Sequence, residues 1–407
     1  MTPYSEMKLS PEEAVALVDK FARDDEVDRL LVEILRSPSP QTDRLEADPG
    51  VRDFVASIVA PRIESLTGQP PKLDSMGNLL WVPDAPTGSR AGGLLFMAYA
   101  MTFPPASMSD PYSGAVVSGA PFQISGPCAW GRGACEQKGA LAAMIAAAGI
   151  LTRSGCPLRE PFFLVVSLAG ETGRHDAAQF ILEHSRLEAR YGIVGLGTNN
   201  RVCLGNKGRV DVEIMVRGKS THSSTPWDGI NAIEGARRVM DRLDRIVLEA
   251  NHPDLGHSTL TATRIESGPA ASHTVQDYCR LVLDRRLLPG EDSNAAIEEI
   301  ETALSGLEPW KVEIKRGATM YPSEVPPGCP VAASLKSACE IILKKKAEVF
   351  YSPASLDAGF LNKKGIETLM FGPGDLRFAH TDREMVSLEE VRAAARIYAT
   401  AALQMLA

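Results

Sequence analysis

The chain has 407 residues, 44% of them hydrophobic and 23% charged, a globular composition suited to two or three domains. Its net charge of −8, with no basic block longer than Lys344-Lys345-Lys346, argues against nucleic acid as a partner. Seven scattered cysteines without a CxxC pair argue against a disulfide framework or structural zinc and favour free thiols in a reducing compartment.

The polar start, Met1 to Ser10, lacks the apolar core of a secretory signal. No apolar run reaches the roughly 18 residues of a membrane span. A cytoplasmic protein without membrane contact is expected. Ser10-Pro11-Glu12-Glu13 is a helix start with a capping box and an early proline. Its apolar spacing predicts one helix to about Arg36, ended by Ser37-Pro38-Ser39-Pro40. A second amphipathic helix is predicted over Pro49 to Leu66.

Strands follow at Asn78 to Val82 and Gly93 to Ala98, then a Pro/Gly/Ser-rich loop from Phe103 to Trp130. An Ala-rich helix is expected over Gly139 to Thr152, a buried strand over Phe162 to Leu168 and a helix over Asp176 to His184. A strand near Tyr191 to Leu196 completes the alternation. Strands alternating with helices predict a mostly parallel sheet with helices on both faces. After Asn206 the pattern changes. Arg209 to Arg217 alternates polar and apolar residues as a half-buried antiparallel strand does. Helix Asn231 to Ala250, strands Leu260 to Ile265 and Cys279 to Leu287, helix Ser293 to Ser305 and strand Trp310 to Arg316 give a β-α-β-β-α-β order, that of a ferredoxin-like unit. From Pro330 the α/β pattern returns, with helix Val331 to Lys344, strand Glu367 to Phe371 and helix Leu388 to Leu406. The expected organisation is a first domain of residues 1–205 and 320–407, interrupted by an inserted domain of residues 206–319.

Four segments are placed to meet at the carboxyl edge of the sheet, where such sheets bind ligands. They are Tyr99 to Pro104, Gly131 to Gly139, the Glu171 turn Ala169 to His175, and Gly372-Pro373-Gly374 with Ala379-His380-Thr381. Two carboxylates and one imidazole from separate loops suit a transition-metal site. The alternative for each is a solvated loop residue.

The segments Gly131-Arg132-Gly133-x-x-Glu136-x-Lys138-Gly139, Lys219 to Ser224, Asp228 to Glu234, Asp284 to Glu291 and Phe371 to Gly374 with Ala379-His380-Thr381 carry a resemblance over nearly the whole chain. It is to the metallopeptidase family of aminoacylase, acetylornithine deacetylase, succinyl-diaminopimelate desuccinylase and bacterial glutamate carboxypeptidases. The resemblance implies a zinc-peptidase-like α/β catalytic domain and an inserted ferredoxin-like lid that forms a homodimer or larger homo-oligomer. Several catalytic positions depart from the family. Its His-x-Asp-x-Val-Pro motif reads Tyr99 and Met101 at the His and Asp positions. Its bridging Asp is Glu136. Its Glu-Glu-x-Gly motif reads Gly170 at the general base and Glu171 at the ligand, and a further acidic ligand aligns near Leu196.

By that resemblance Glu136, Glu171 and His380 hold one divalent transition metal (Mn, Zn, Co or Fe), with Tyr99 a fourth ligand or hydrogen-bond donor. His222 matches the family histidine that stabilises charge on the substrate. His273 and Arg286 are candidates to bind a substrate carboxylate, and Arg286 has the alternative of an ion pair with Asp284 or Glu291. His175, four residues past Glu171, is a proton-carrier candidate if both lie on one helix face, and otherwise a surface histidine.

Without the base glutamate, proton delivery to an amide leaving group is impaired. This favours attack on an electron-poor aromatic amine, as in the branch resembling 5-nitroanthranilate aminohydrolase, which turns an aminobenzoate into a hydroxybenzoate and ammonia. The second expectation is hydrolysis of an N-acyl amino acid or dipeptide with His175 or Asp176 as replacement base. The third is a non-catalytic relative that binds a small ligand or scaffolds an oligomer.

Overall fold

Ser10 accepts a hydrogen bond from Glu13 N at 3.2 Å, and the Glu13 carboxylate accepts from Ser10 N at 2.8 Å, so the capping box forms. The computed structural model containing it describes residues 9–83, 92–185 and 187–407. The polar start over residues 1–8 lies outside them. The single helix expected to Arg36 is two helices, Pro11–Phe21 and Asp24–Arg36. Ala22 is extended between them, and the acidic run Asp24-Asp25-Glu26 suits a new helix N-terminus. Hydrophobic periodicity runs through such a break, so it does not reveal one.

The chain divides into two compact units, one of residues 1–205, 324–351 and 360–407 and one of residues 206–323 and 352–359. In the first, strands Phe162–Ser167, Gly93–Tyr99, Ala189–Gly195 and Glu367–Phe371 lie side by side and parallel. Antiparallel strands extend both edges, with Leu79–Trp81 beside Phe162–Ser167 and Val202–Asn206 beside Glu367–Phe371. The sheet is therefore mixed around a parallel centre. Every residue of Gly93–Tyr99 and of Phe162–Ser167 is buried, as expected for strands covered on both faces.

Helices Gly139–Ser154 and Leu388–Leu406 pack against each other in this core. The helical stretch Ala134–Ser154 is 21 residues long and apolar enough to span a membrane by length and composition, although Lys138 and Arg153 bound its uninterrupted apolar run. It is 94% buried in its most apolar window, because small alanines let it sit tightly in the core. Three short strands, Ala115–Ser118, Pro127–Trp130 and Met385–Ser387, form a separate antiparallel sheet. Two of them fall in the stretch read as loop from Phe103 to Trp130. Each is three or four residues long, too short for a period-2 signal.

The second unit has a four-stranded antiparallel sheet in the order Thr259–Gly268, Tyr278–Leu287, Gly208–Arg217, Lys311–Met320. Helices Ala232–Leu243 and Ser293–Ala303 complete the ferredoxin-like order. Val210, Val212, Ile214 and Val216 all point into its core, the alternation visible in the sequence. The first helix stops at Leu243, seven residues before the expected Ala250. Residues 352–359 belong to this unit, not to the first.

Candidate metal centre

The parallel strands end at Tyr99, Ser167, Gly195 and Phe371 on one edge of the sheet. The chain turns there. After Phe371, Gly374 adopts φ +102°, and a Cβ on it would lie 2.4 Å from the Cys135 carbonyl oxygen. Only glycine tolerates both, and it lets this loop close on the turn that carries Glu136. The loop then brings back His380, itself left-handed at φ +62°. That conformation is uncommon for a side chain bearing a Cβ and is held by its surroundings.

Glu136 sits in the π-helical turn Ala134–Lys138. The turn is tied from behind. Buried Lys138 donates to Ile34 O at 3.0 Å and Ser37 O at 2.6 Å and lies 4.8 Å from the Phe54 ring centre. Burial lowers its pKa to about 7. Arg132, fully buried, pairs with Glu384 at 2.8 Å and donates to Pro105 O at 2.9 Å. Burial raises the Glu384 carboxyl above its usual range.

Glu136, Glu171 and His380 converge, with one donor atom from each lying within 4.8 Å of the others. His380 Nε2 is 2.9 Å from Glu136 Oε2 and 3.5 Å from Glu171 Oε1. Both carboxylates are mostly buried, at 16% and 11% exposure. Burial drives the Glu171 pKa up to about 7. The hydrogen-bonded carboxylates of Glu136 and Glu171 raise His380 to about 10. Glu136 Oε2 is buried, with the His380 imidazole as its near neighbour. Two mostly buried carboxylates and one imidazole facing a common point fit a divalent transition metal.

Two further groups shape the site. Gln137, 1% exposed, donates from Nε2 to Glu171 Oε1. Phe103 stacks on the His380 ring, with centroids 4.0 Å apart and planes 13° apart. Sequence reading named neither as a site residue. The one signal in the sequence is an amide inside the motif segment Gly131 to Gly139.

Tyr99, at the end of its strand, is 2% exposed, and its Cβ stands 3.4 Å from where a Cβ on Gly170 would be. That same Cβ would lie 2.5 Å from Met101 O. The position to which the resemblance assigns a general base, Gly170, is therefore closed to a side chain unless the backbone moves. Met101 and Leu196 are buried and apolar and offer no metal a strong ligand.

His175 is not on a helix face with Glu171. Residues 170–174 are bends, and His175 is the N-cap of helix Asp176–His184. The glycines at 170 and 173 favour this turn over a helix. His175 is 6% exposed and stacks on Phe360 at 5.1 Å.

In the second unit, the rings of His222 and His273 lie 5.8 Å apart, on segments joined by the bridge between His222 and Thr274. Both are exposed. Ser224 Oγ is 2.7 Å from His222 Nδ1. The Arg286 fork is taken by Asp284, at 2.8 and 3.0 Å, and its third nitrogen faces Ser355 Oγ at 3.2 Å. Of its two readings the ion pair is the one formed, so the fork offered to a substrate carboxylate is already filled. Glu291 pairs with Arg285 instead, at 2.8 Å.

Residues 204–312 match the family described as a peptidase dimerisation domain. Acetylornithine deacetylase of Vibrio atlanticus is 30% identical over 270 residues, 64% of this chain and 68% of that protein. Among solved structures, an M20 family metallo-carboxypeptidase from Sulfolobus solfataricus superposes with a TM-score of 0.77 at 18% identity, covering 93% of this chain and 99% of that one. A dinuclear metal-binding peptidase of the M20 family from Bacillus subtilis gives 0.68 at 14% identity, covering 94% and 98%. The two structural likenesses establish the fold, an α/β domain with an inserted second domain.

Proposed function

Because the chain belongs to the M20 family of metallopeptidases, metal-dependent hydrolases of carbon–nitrogen bonds, we propose that it cleaves the amide of a small N-acyl amino acid or dipeptide with one metal per chain. The observation that carries this reading is the convergence of Glu136, Glu171 and His380. A divalent Mn, Zn, Co or Fe held there supplies a Lewis acid and an acidified water. One metal is proposed because Tyr99, Met101 and Leu196 stand where the resemblance puts further ligands. Gln137 and Phe103 fix the directions of Glu171 and His380. Tyr99 lines the same strand end as a hydrogen-bond donor. His222 and His273 supply paired imidazoles for the substrate's charge, and the dimerisation-domain match supports a homodimer. The proton-carrying role left open at Gly170 falls to Asp176, exposed at the start of helix Asp176–His184.

A second reading rests on Gly170 itself. A site with no room for a base suits attack on an electron-poor ring carbon, where ammonia leaves without a shuttle glutamate. The substrate is then an aminobenzoate such as 5-nitroanthranilate. The test is to incubate the Mn- or Zn-loaded protein with N-acetylornithine and, separately, with 5-nitroanthranilate. Acetate release supports the amidohydrolase. Ammonia and a hydroxybenzoate support the second reading. Neither product, with metal bound, removes both substrate classes.

A further inference from the structure

Glu171 lies on a bend of the chain, where no helix or sheet fixes its side chain. Two side-chain amides reach it from separate segments. Gln137 Nε2 donates to the carboxylate at Oε1. Gln41 Nε2 donates to the Glu171 backbone oxygen at 3.0 Å. Gln41 is itself held, its N donating to Thr102 O at 2.8 Å. Gln137 is held by the π-helical turn that also presents Glu136, its N donating to Gly133 O at 3.2 Å.

Burying Gln137 is costly. Its Oε1 is buried and has no hydrogen-bond partner among the described residues. An unsatisfied buried carbonyl loses its water hydrogen bonds without replacement. A methionine or leucine of similar volume avoids that cost, so the amide's contribution lies in its N–H. That N–H points at the one carboxylate of the trio whose loop cannot orient it.

We propose that Gln137 and Gln41 are positioning residues that clamp Glu171, Gln137 setting its carboxylate and Gln41 its backbone, so that its remaining lone pairs face Glu136 and His380. This rests on the one-metal reading above. The clamp couples the second metal-facing carboxylate to the turn that bears the first, so the two move as one piece. Loss of such an outer hydrogen bond lowers metal affinity about 10–100-fold in other metal sites.

The test uses the full chain and the Gln137→Met and Gln41→Met variants, which keep the volume and remove the amide. Mn(II) affinity is measured by calorimetry, with thermal unfolding as a control on folding. The expected result is at least about tenfold weaker binding for Gln137→Met and a smaller loss for Gln41→Met. A packing role alone predicts native affinity for both. The second readout needs no metal. The side-chain NH2 proton signals of Gln137 in the metal-free native protein should be protected from exchange, and the protection should be lost in Glu171→Ala. Native affinity in Gln137→Met, or fast exchange of that amide in the native protein, overturns the clamp. If the native chain binds no Mn(II), the one-metal reading fails, and the exchange measurement still decides the clamp.

Discussion

Placing any side chain at Gly170 should destabilise the protein without restoring a base. A Cβ at this position would stand 2.5 Å from Met101 O and 3.4 Å from both Met101 C and Tyr99 Cβ. An ordinary carbon–oxygen contact is about 3.3–3.6 Å, so the backbone must move by close to 1 Å. Met101 and Tyr99 are almost fully buried, and a carbonyl oxygen has no rotamer to turn away. Overpacking of a tight interior costs about 1–3 kcal/mol, and that is the range expected for Gly170→Ala in urea unfolding. Gly170→Glu should cost at least as much. Its carboxylate starts from a displaced backbone, so no rise in amide hydrolysis is expected. Glu183→Ala, on an exposed helix face, serves as the control and should change stability by less than about 0.5 kcal/mol. A Gly170→Ala variant as stable as the native chain refutes the steric argument. So does a stable Gly170→Glu variant with faster N-acetylornithine hydrolysis.

Glu384→Gln breaks the buried pair with Arg132, and urea unfolding should show a loss of about 3–5 kcal/mol, since it leaves a buried guanidinium without its counter-charge. Phe103→Ala removes the ring stacked on His380. Aromatic pairs contribute about 0.5–1.5 kcal/mol, so calorimetric metal affinity should fall up to about tenfold, while Phe103→Tyr retains it. Metal binding should tighten as pH rises. Glu171, raised to about 7 by burial, and His380, raised to about 10 by its carboxylate neighbours, both hold protons that a metal must displace. Calorimetry at pH 6 and pH 8.5, in buffers of different ionisation enthalpy, should show weaker binding and more proton release at pH 6; pH-independent affinity speaks against this ligand set.

Elements with strong local signals were readable from the residues. Helix Asp176–His184 and helix Leu388–Leu406 begin and end where the sequence places them. The alternation of Val210 to Val216 and the order of strands around it give the second unit. That Glu136, Glu171 and His380 lie together was legible through the resemblance of the motif segments that carry them. The break at Ala22 was not, since apolar spacing continues across it. In the small sheet, Met385–Ser387 pairs with Pro127–Trp130 across more than 250 positions, which no local pattern reports. The same holds for the Gln41 and Gln137 contacts with Glu171, at separations of 130 and 34 residues. His175 was misplaced for a different reason. A spacing of four shares one face only within a helix, and the glycines at 170 and 173 keep this segment in bends.

The most direct test of the account is the number of metal ions the chain holds, measured by elemental analysis and calorimetry on the native protein and on Glu171→Ala and His380→Ala. One Mn, Zn, Co or Fe per chain, lost in both variants, is the expected result. Two ions per chain, or one ion that survives both substitutions, contradicts the site built from Glu136, Glu171 and His380.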